Sequence, residues 1–298
     1  MVNLADVVDP AARPKRLGGD ATWSEGPLWL PDEDSVIWSD IPGNRILRWR
    51  ASTGAVTVDR TAVEFTNGRC LDGNGLVVTC SHGRRAVERG PAGAPGEVLV
   101  DRYGAARLNS PNDVVVAADG AIWFTDPPYG IVQPTEGYPG EKEYGDCYVF
   151  RLDPATGELA PVILDIEEPN GLAFSPDESL LYVTDTSAAL RQDGNHWIRV
   201  YDVVDGRRCK NGRVFAEVNP GLADGIKVDV RGNVWTSSAN AVQVYAPDGT
   251  HLGRIPVPEV VGNLCFGGPD RDVLFIAATT GLYRLPTRTR GAARTPAS

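Results

Sequence analysis

The chain is poor in the residues that mark many metal and redox sites. It has three histidines and five cysteines, and Cys70, Cys80, Cys147, Cys209 and Cys265 contain no C-x-x-C pair. An odd count without that spacing argues against a disulfide framework or a zinc knuckle, so the thiols read as reduced and packed in strands. No run of 18 apolar residues occurs, and long amphipathic helical stretches are missing. A membrane-spanning helix is therefore not expected. The opening MVNLADVVDPAARPKRLGGD lacks the apolar stretch of a secretory signal, which makes a cytoplasmic location the expectation. Basic residues are also short: 29 Lys and Arg stand against 39 Asp and Glu, for a net charge of -10. That balance disfavours nucleic acid or an anionic membrane as partner.

What the chain does contain is a repeat. Six segments reach a short polar turn and then a hydrophobic strand, and each opens on a side chain bearing an oxygen. They are Glu25 in SEGPLWL, Asn67 in TNGRCL, Asn112 in PNDVVV, Asn170 in PNGLAF, Asp224 in ADGIKV and Asn263 in GNLCFG. Recurrence about every 40 to 59 residues is the signature of a propeller or array. After a turn such as PDED, DGNG or SPDES comes a second strand, among them VIWSD, IWFTD, LLYVTD and VLFIAAT, rich in β-branched and aromatic residues. Third strands such as CYVFRL and IRVYDV alternate, which predicts one covered and one wetter face. Turns such as STG and PATG lead to a fourth.

The expected fold is all-β: one six-bladed β-propeller over residues 1–298 with four antiparallel strands per blade, its many turns served by 33 glycines and 23 prolines. The last repeat stops at GLYRLP with three strands. Its fourth is expected from the N-terminus, near Arg13–Leu17, so that the ring closes and no sheet edge is left open. Residues 287–298 read as a flexible tail.

Blades of this kind bring the six side chains together on the central axis. That set holds two carboxylates, Glu25 and Asp224, and the amides of Asn112, Asn170, Asn67 and Asn263, with no histidine or cysteine. All-oxygen ligation favours a hard cation, Ca²⁺ or Mg²⁺, with Mn²⁺ or Zn²⁺ as further candidates. Without a cation the two carboxylates would repel and one would take up a proton. Asn and Asp often merely cap turns, the simpler reading of any one of them alone; six at equivalent strand starts favour a shared site.

Loops between second and third strands lie on the same face. Two are long, 126–145 and 185–196, and are expected to shape or cover the pocket. Around it, Arg69 reads as a contact for an anionic or hydroxylated substrate or as a rim salt bridge. His82 is a substrate contact, a proton donor or a hydrogen-bonded loop residue. Asp113 would orient Asn112 or hold water. Tyr129, Trp23 and His196 offer apolar walls, although aromatic residues in propellers usually pack between blades. Asp40, Asp126 and Asp185 end second strands, where turn capping is a simpler reading than an additional cation.

The segments WSEGPLW, LNSPNDVVVAADGAIWFTDPPYG, EPNGLAFSPDESLLYVTDT, ADGIKVDVRGNVW and VGNLCFGGPDRDVLFIAATTGLYRL resemble the senescence marker protein/gluconolactonase/luciferin-regenerating-enzyme family. The likeness runs from about Ala21 to Leu285. It implies a six-bladed fold with a divalent metal on the axis, held at the positions of Glu25, Asn170 and Asp224, with Asn112 as metal ligand in one branch and substrate or water contact in another. Aldonolactonases of the family carry Arg two residues before that Asn. This chain has Ser110 there, so their sugar contact does not transfer, and the bacterial gluconolactonase-like branch fits better. Ala223 replaces a common Pro, a change for the turn more than for the chemistry.

The expected activity is hydrolysis of a sugar lactone or similar small cyclic ester. The metal would polarise the carbonyl, and Asp224 would act as general base or itself attack. The expected partner is a small-molecule lactone, with the protein a monomer or weak homo-oligomer. Two alternatives remain: the same site acting on an organophosphate or specialised metabolite, or a propeller whose cation is structural and whose face binds without chemistry. Other motifs fail. TWSEG has Thr22 in place of the first glycine of a nucleophile elbow and no helix after Ser24, and DGNG lacks the third glycine of a dinucleotide loop.

Overall fold

Each repeat folds into a four-stranded antiparallel sheet, and in all but the last the strands follow chain order. The computed structural model describes residues 3–292. The first blade comprises Ser24–Leu30, Ser35–Asp40, Arg45–Arg50 and Val56–Thr61; the second comprises Thr66–Leu71, Val77–Ser81, Ala86–Gly90 and Glu97–Val100. Val114–Val116, Ile122–Asp126, Tyr148–Leu152 and Leu159–Ile163 form the third, and Pro169–Phe174, Leu180–Asp185, Trp197–Val204 and Arg208–Glu217 the fourth. The fifth has Ile226–Val228, Val234–Ser238, Ala241–Tyr245 and His251–Pro256; the sixth has Val261–Gly267, Val273–Ala278 and Gly281–Pro286. First strands touch one another around the axis, and the whole is a six-bladed β-propeller.

The ring closes as the truncated last repeat requires. Lys15–Gly18 supplies the fourth strand of blade six, pairing Lys15 with Arg284 and Arg16 with Tyr283. This strand ends one residue beyond the segment expected to close the ring. Further upstream, Val7 and Val8 are buried in the cluster of Trp235, Val242, Leu264 and Leu274 between blades five and six. The N-terminal segment thus both pairs an edge and seals an interface.

Hydrophobic clusters at the blade interfaces make up the core. Trp123, Leu172 and Val183 lie between blades three and four, and Trp38, Trp49, Phe275 and Leu282 between six and one. The second strand Ser35–Asp40 is covered on both faces and buried throughout, its polar Ser35, Ser39 and Asp40 included. Third strands depart from the wetter face that their alternation predicts. Arg48 and Arg151 are buried, Arg48 against Asp59 at 2.7 Å and Glu33, Arg151 against Asp119 at 3.0 Å and the Gly206 carbonyl. Their charges are neutralised by carboxylates of their own blades. Solvent is met by the fourth strands, such as Val56–Thr61.

The C-terminal residues also differ from the flexible tail read from sequence. Thr287 N–H donates to Asp272 O, Arg288 N–H to Val7 O and Ala292 N–H to Val228 O, and Gly291 bridges to Asp229. Residues 287–292 therefore strap the blade five and six end of the ring to the N-terminal segment; 293–298 lie outside the described residues.

Removing residues 1–18 uncovers the edge of Gly281–Pro286 and the pocket of Val7 and Val8. With buried valines contributing ~1.5–3 kcal/mol each, we expect Tm to fall on the order of 10 °C. Scanning calorimetry checks this, and an unchanged Tm would contradict the closure.

Candidate active site

The six side chains at the starts of the first strands do converge. Glu25, Asn67, Asn112, Asn170 and Asn263 are all buried, and Asp224 is partly exposed. The pairing between first and second strand shifts register across Asn67 and Asn170 and directly beside Glu25 and Asn263. Such bulges bend a strand and re-aim a side chain. Each of these shifts falls on or beside a residue that heads for the axis.

Convergence needs backbones to come very close, and the glycines beside these residues permit it. A Cβ on Gly26 would overlap the Asn67 carbonyl, one on Gly171 the Asp224 carbonyl, and one on Gly225 the Asn263 amide. Hydroxyls add a second tie. Ser39 Oγ donates to Asn67 O at 3.3 Å, Thr125 Oγ1 to Asn170 O at 2.6 Å and Thr184 Oγ1 to Asp224 O at 2.9 Å. A Ser or Thr one residue before the end of a second strand thus pins the axial residue of the next blade. The S-D and T-D pairs at 39–40, 125–126 and 184–185 carry that signal in the sequence.

Side-chain hydrogen bonds then sort the amides. Asn263 is spent within the protein: its Nδ2 donates to Glu25 Oε2 at 3.0 Å and its Oδ1 accepts from Leu264 N–H. Asn67 Nδ2 lies 3.3 Å from His82 Nε2, and His82 Nδ1 lies 3.0 Å from the Glu136 carbonyl. A carbonyl only accepts, so Nδ1 bears the proton and Nε2 accepts from Asn67. Asn67 Oδ1 is left buried and without a partner. Asn170 Nδ2 donates to Thr186 Oγ1 at 3.1 Å, and Tyr129 OH meets the same hydroxyl at 2.5 Å.

Both axial carboxyls are strongly perturbed. Burial pushes Glu25 up to about 7, against hydrogen bonds from Asn263 and Gly26 and with help from the charges of Asp113 and Glu136. Its Oε1 has no partner. Burial raises Asp224 well above the ordinary range, followed by repulsion from Glu25, Glu136 and Asp113, while Asn170 opposes. Unpartnered oxygens on Glu25 and Asn67 and two mutually repelling carboxyls form a donor set suited to a hard cation. Among the described residues no three His, Cys, Asp or Glu side chains form a metal-holding group. A cation here would rely on amide oxygens as much as on carboxylates.

The protein itself supplies partners for four residues expected near the substrate. Arg69 is buried between blades one and two, bonding Gly26 O at 2.8 Å, Ser39 Oγ and Thr66 Oγ1, so it joins blades instead of facing substrate or forming a rim salt bridge. Burial lowers it to about 10, which leaves it charged. His82 is fully buried and driven down to about 4 by that burial; it stays neutral and orients Asn67. Tyr129 is buried and supports Asn170 through Thr186. Asp113 accepts from Val114 N–H and sits 3.8 Å from Lys227 Nζ, away from any hydrogen bond to Asn112.

The second-strand aspartates cap loops. Asp40 accepts from Thr22 and Gly43 N–H, Asp126 from Asn109 and Ser110, and Asp185 from Glu167 and Ser187. Lys227, Thr186 and Glu136 escaped the sequence reading, and Ser110 entered it only as the residue standing where relatives carry Arg. Ser110 Oγ donates to Pro127 O at 2.6 Å and accepts from Gly130 N–H, so it fastens the long third-blade loop.

A family model of the SMP-30/Gluconolactonase/LRE-like region matches residues 23–280. A gluconolactonase of Zymomonas mobilis is 31% identical over 97% of this chain and 85% of its own length. A pentonolactonase of Haloferax volcanii is 31% identical over 86% of this chain and 81% of its own. The solved structure of a gluconolactonase from Xanthomonas campestris superposes with a TM-score of 0.89 at 42% identity, covering 96% of this chain and 93% of that one.

The raised carboxyls set a direction for pH dependence. A folded-state pKa of about 7 for Glu25 against an ordinary 4.5 gives stability that is complete below about 4.5 and lost as pH rises through about 7. In chelator-treated protein we expect Tm to fall between pH 5 and 8, and to fall less in Glu25→Gln. Thermal melts across that range check it; equal slopes in the two proteins would contradict the assignment.

Proposed function

Since the chain belongs to the SMP-30/gluconolactonase/LRE-like family, we propose that its axial site is that of a divalent-metal-dependent hydrolase opening a sugar lactone or similar small cyclic ester. The observation that carries this reading is the pair of mutually repelling carboxyls on the axis, Glu25 buried and Asp224 partly exposed, beside the amides of Asn67 and Asn170, whose Nδ2 atoms bond His82 and Thr186. The names of lactone-hydrolysing relatives support the substrate class. Among the described residues no helix is long and apolar enough to cross a membrane; the proposed setting is the cytoplasm.

Glu25, Asn170, Asp224 and Asn112 would hold the cation, with Ca²⁺ favoured by the all-oxygen set. When bound, the ion supplies positive charge at the lactone carbonyl oxygen, where negative charge grows during attack. Asp224 is the partly exposed member of the pair, so it can reach a water on the open side. It takes that water's proton as the new C–O bond forms. Asn170 and Asn67, held by Thr186 and His82, keep their geometry through the reaction and need no reorganisation. Direct attack by the Asp224 carboxylate is the competing route. Single turnover in ¹⁸O-water separates the two, since label in Asp224 appears only if the carboxylate attacks.

The test is a pH-indicator assay on glucono-1,5-lactone and a panel of γ- and δ-lactones after EDTA treatment, and again with Ca²⁺, Mg²⁺, Mn²⁺ or Zn²⁺. We expect activity lost with chelator and restored by one metal. Asp224→Asn should lower kcat on the order of 10² or more. Inactivity throughout, with metal still raising Tm, would reduce the site to a structural or binding role.

A further inference from the structure

One carboxyl near the axis has no task in the account so far. Glu136 lies in the third-blade loop, mostly buried with 18% of its side chain exposed. No hydrogen bond reaches either of its carboxyl oxygens among the described residues, although its own carbonyl is held by His82 Nδ1 at 3.0 Å. Its charge raises both Glu25 and Asp224. The backbone of Glu136 is thus one imidazole away from the axial Asn67.

The loop that carries it is firmly placed. Ser110 ties Pro127 and Gly130, Gly130 packs on His82, and Gly137 packs on Gly130 so closely that neither tolerates a Cβ. Tyr138 rests edge-on against Phe65 with ring centroids 5.3 Å apart. A free carboxyl on a pinned loop, beside the metal-type site and still open to solvent, is built for contact with a ligand and not for packing.

We propose that Glu136 is the general acid that protonates the departing ring oxygen of the lactone. This rests on the lactonase reading above. Attack by water forms one C–O bond and gives the water's proton to Asp224. Collapse of the tetrahedral adduct breaks the ring C–O bond, whose electron pair stays on the ring oxygen, and the Glu136 proton moves to that oxygen. The product is an open-chain hydroxy acid; Asp224 releases the water's proton to solvent on the open side, and Glu136 regains its own from solvent at its exposed edge. An aliphatic alkoxide is a poor leaving group, so this proton matters most for sugar lactones. Burial, which pushes Glu136 up to about 7, keeps the proton available near neutral pH, where general acids are most effective. His82, the titratable neighbour with Nδ1 4.0 Å from Oε2, is neutral and does not compete.

The experiment compares Glu136→Gln with wild type on glucono-1,5-lactone and on dihydrocoumarin, whose phenolate leaves without help. We expect kcat on the sugar lactone to fall about 10²-fold, the scale of lost general acid catalysis, with less than about 3-fold loss on the aryl lactone. Glu136→Gln should still show a rise in Tm on adding Ca²⁺, which shows that the axial site is intact. If wild type does not take the aryl lactone, rescue of Glu136→Ala by added formate on the sugar lactone gives the same decision. Equal losses on both substrates, no loss on either, or no formate rescue would overturn the proposal. Inactivity of the wild type on every lactone would instead overturn the lactonase reading on which it stands.

Discussion

Close approach of six first strands on one axis is the constraint on which the rest of the molecule depends. Four-stranded sheets packed face to face in a ring leave only a narrow channel, and here neighbouring blades touch across it through glycines and through hydroxyls that bond the next blade's carbonyl. A channel that narrow buries whatever side chains head into it. Glu25 and Asp224 are therefore desolvated and close enough to repel, a costly arrangement unless a cation or protons offset it.

The surroundings of the axis serve to expose oxygens. An asparagine amide can present either end, and a buried N–H without an acceptor costs as much as a lost hydrogen bond. His82 takes the N–H of Asn67 and Thr186 that of Asn170. Asn263 does the reverse, with both ends used to brace Glu25 and the strand behind it. Residues that look equivalent in the repeat thus divide into ligand-type and support-type by their partners. Tyr129 stands behind Thr186 in the same way, which gives the aromatic residue a positioning role.

Much of the architecture was legible because it repeats. Blade number, strand order, the missing fourth strand and the six axial side chains follow from a motif copied around a ring. Failures came where cross-blade partners decide. Arg69 sits two residues after Asn67 and reads as a neighbour of the site, but its guanidinium finds Gly26 and Ser39 on the adjacent blade, a contact no local pattern encodes. Residues 287–292 look like a polar tail, and only Asp272, Val7 and Val228, distant in sequence, anchor them. Glu136 could be placed in a covering loop but not singled out from Glu141 and Glu143 beside it, since only the His82 contact brings it to the axis.

The central claim is that a divalent cation on the axis replaces protons on Glu25 and Asp224. Calorimetric titration of Ca²⁺ near pH 6.5 in two buffers of different ionisation enthalpy counts the protons released per ion bound. The account predicts release approaching one proton or more in wild type, reduced in Glu25→Gln. Tight Ca²⁺ binding without proton release, or no binding at all, would contradict it.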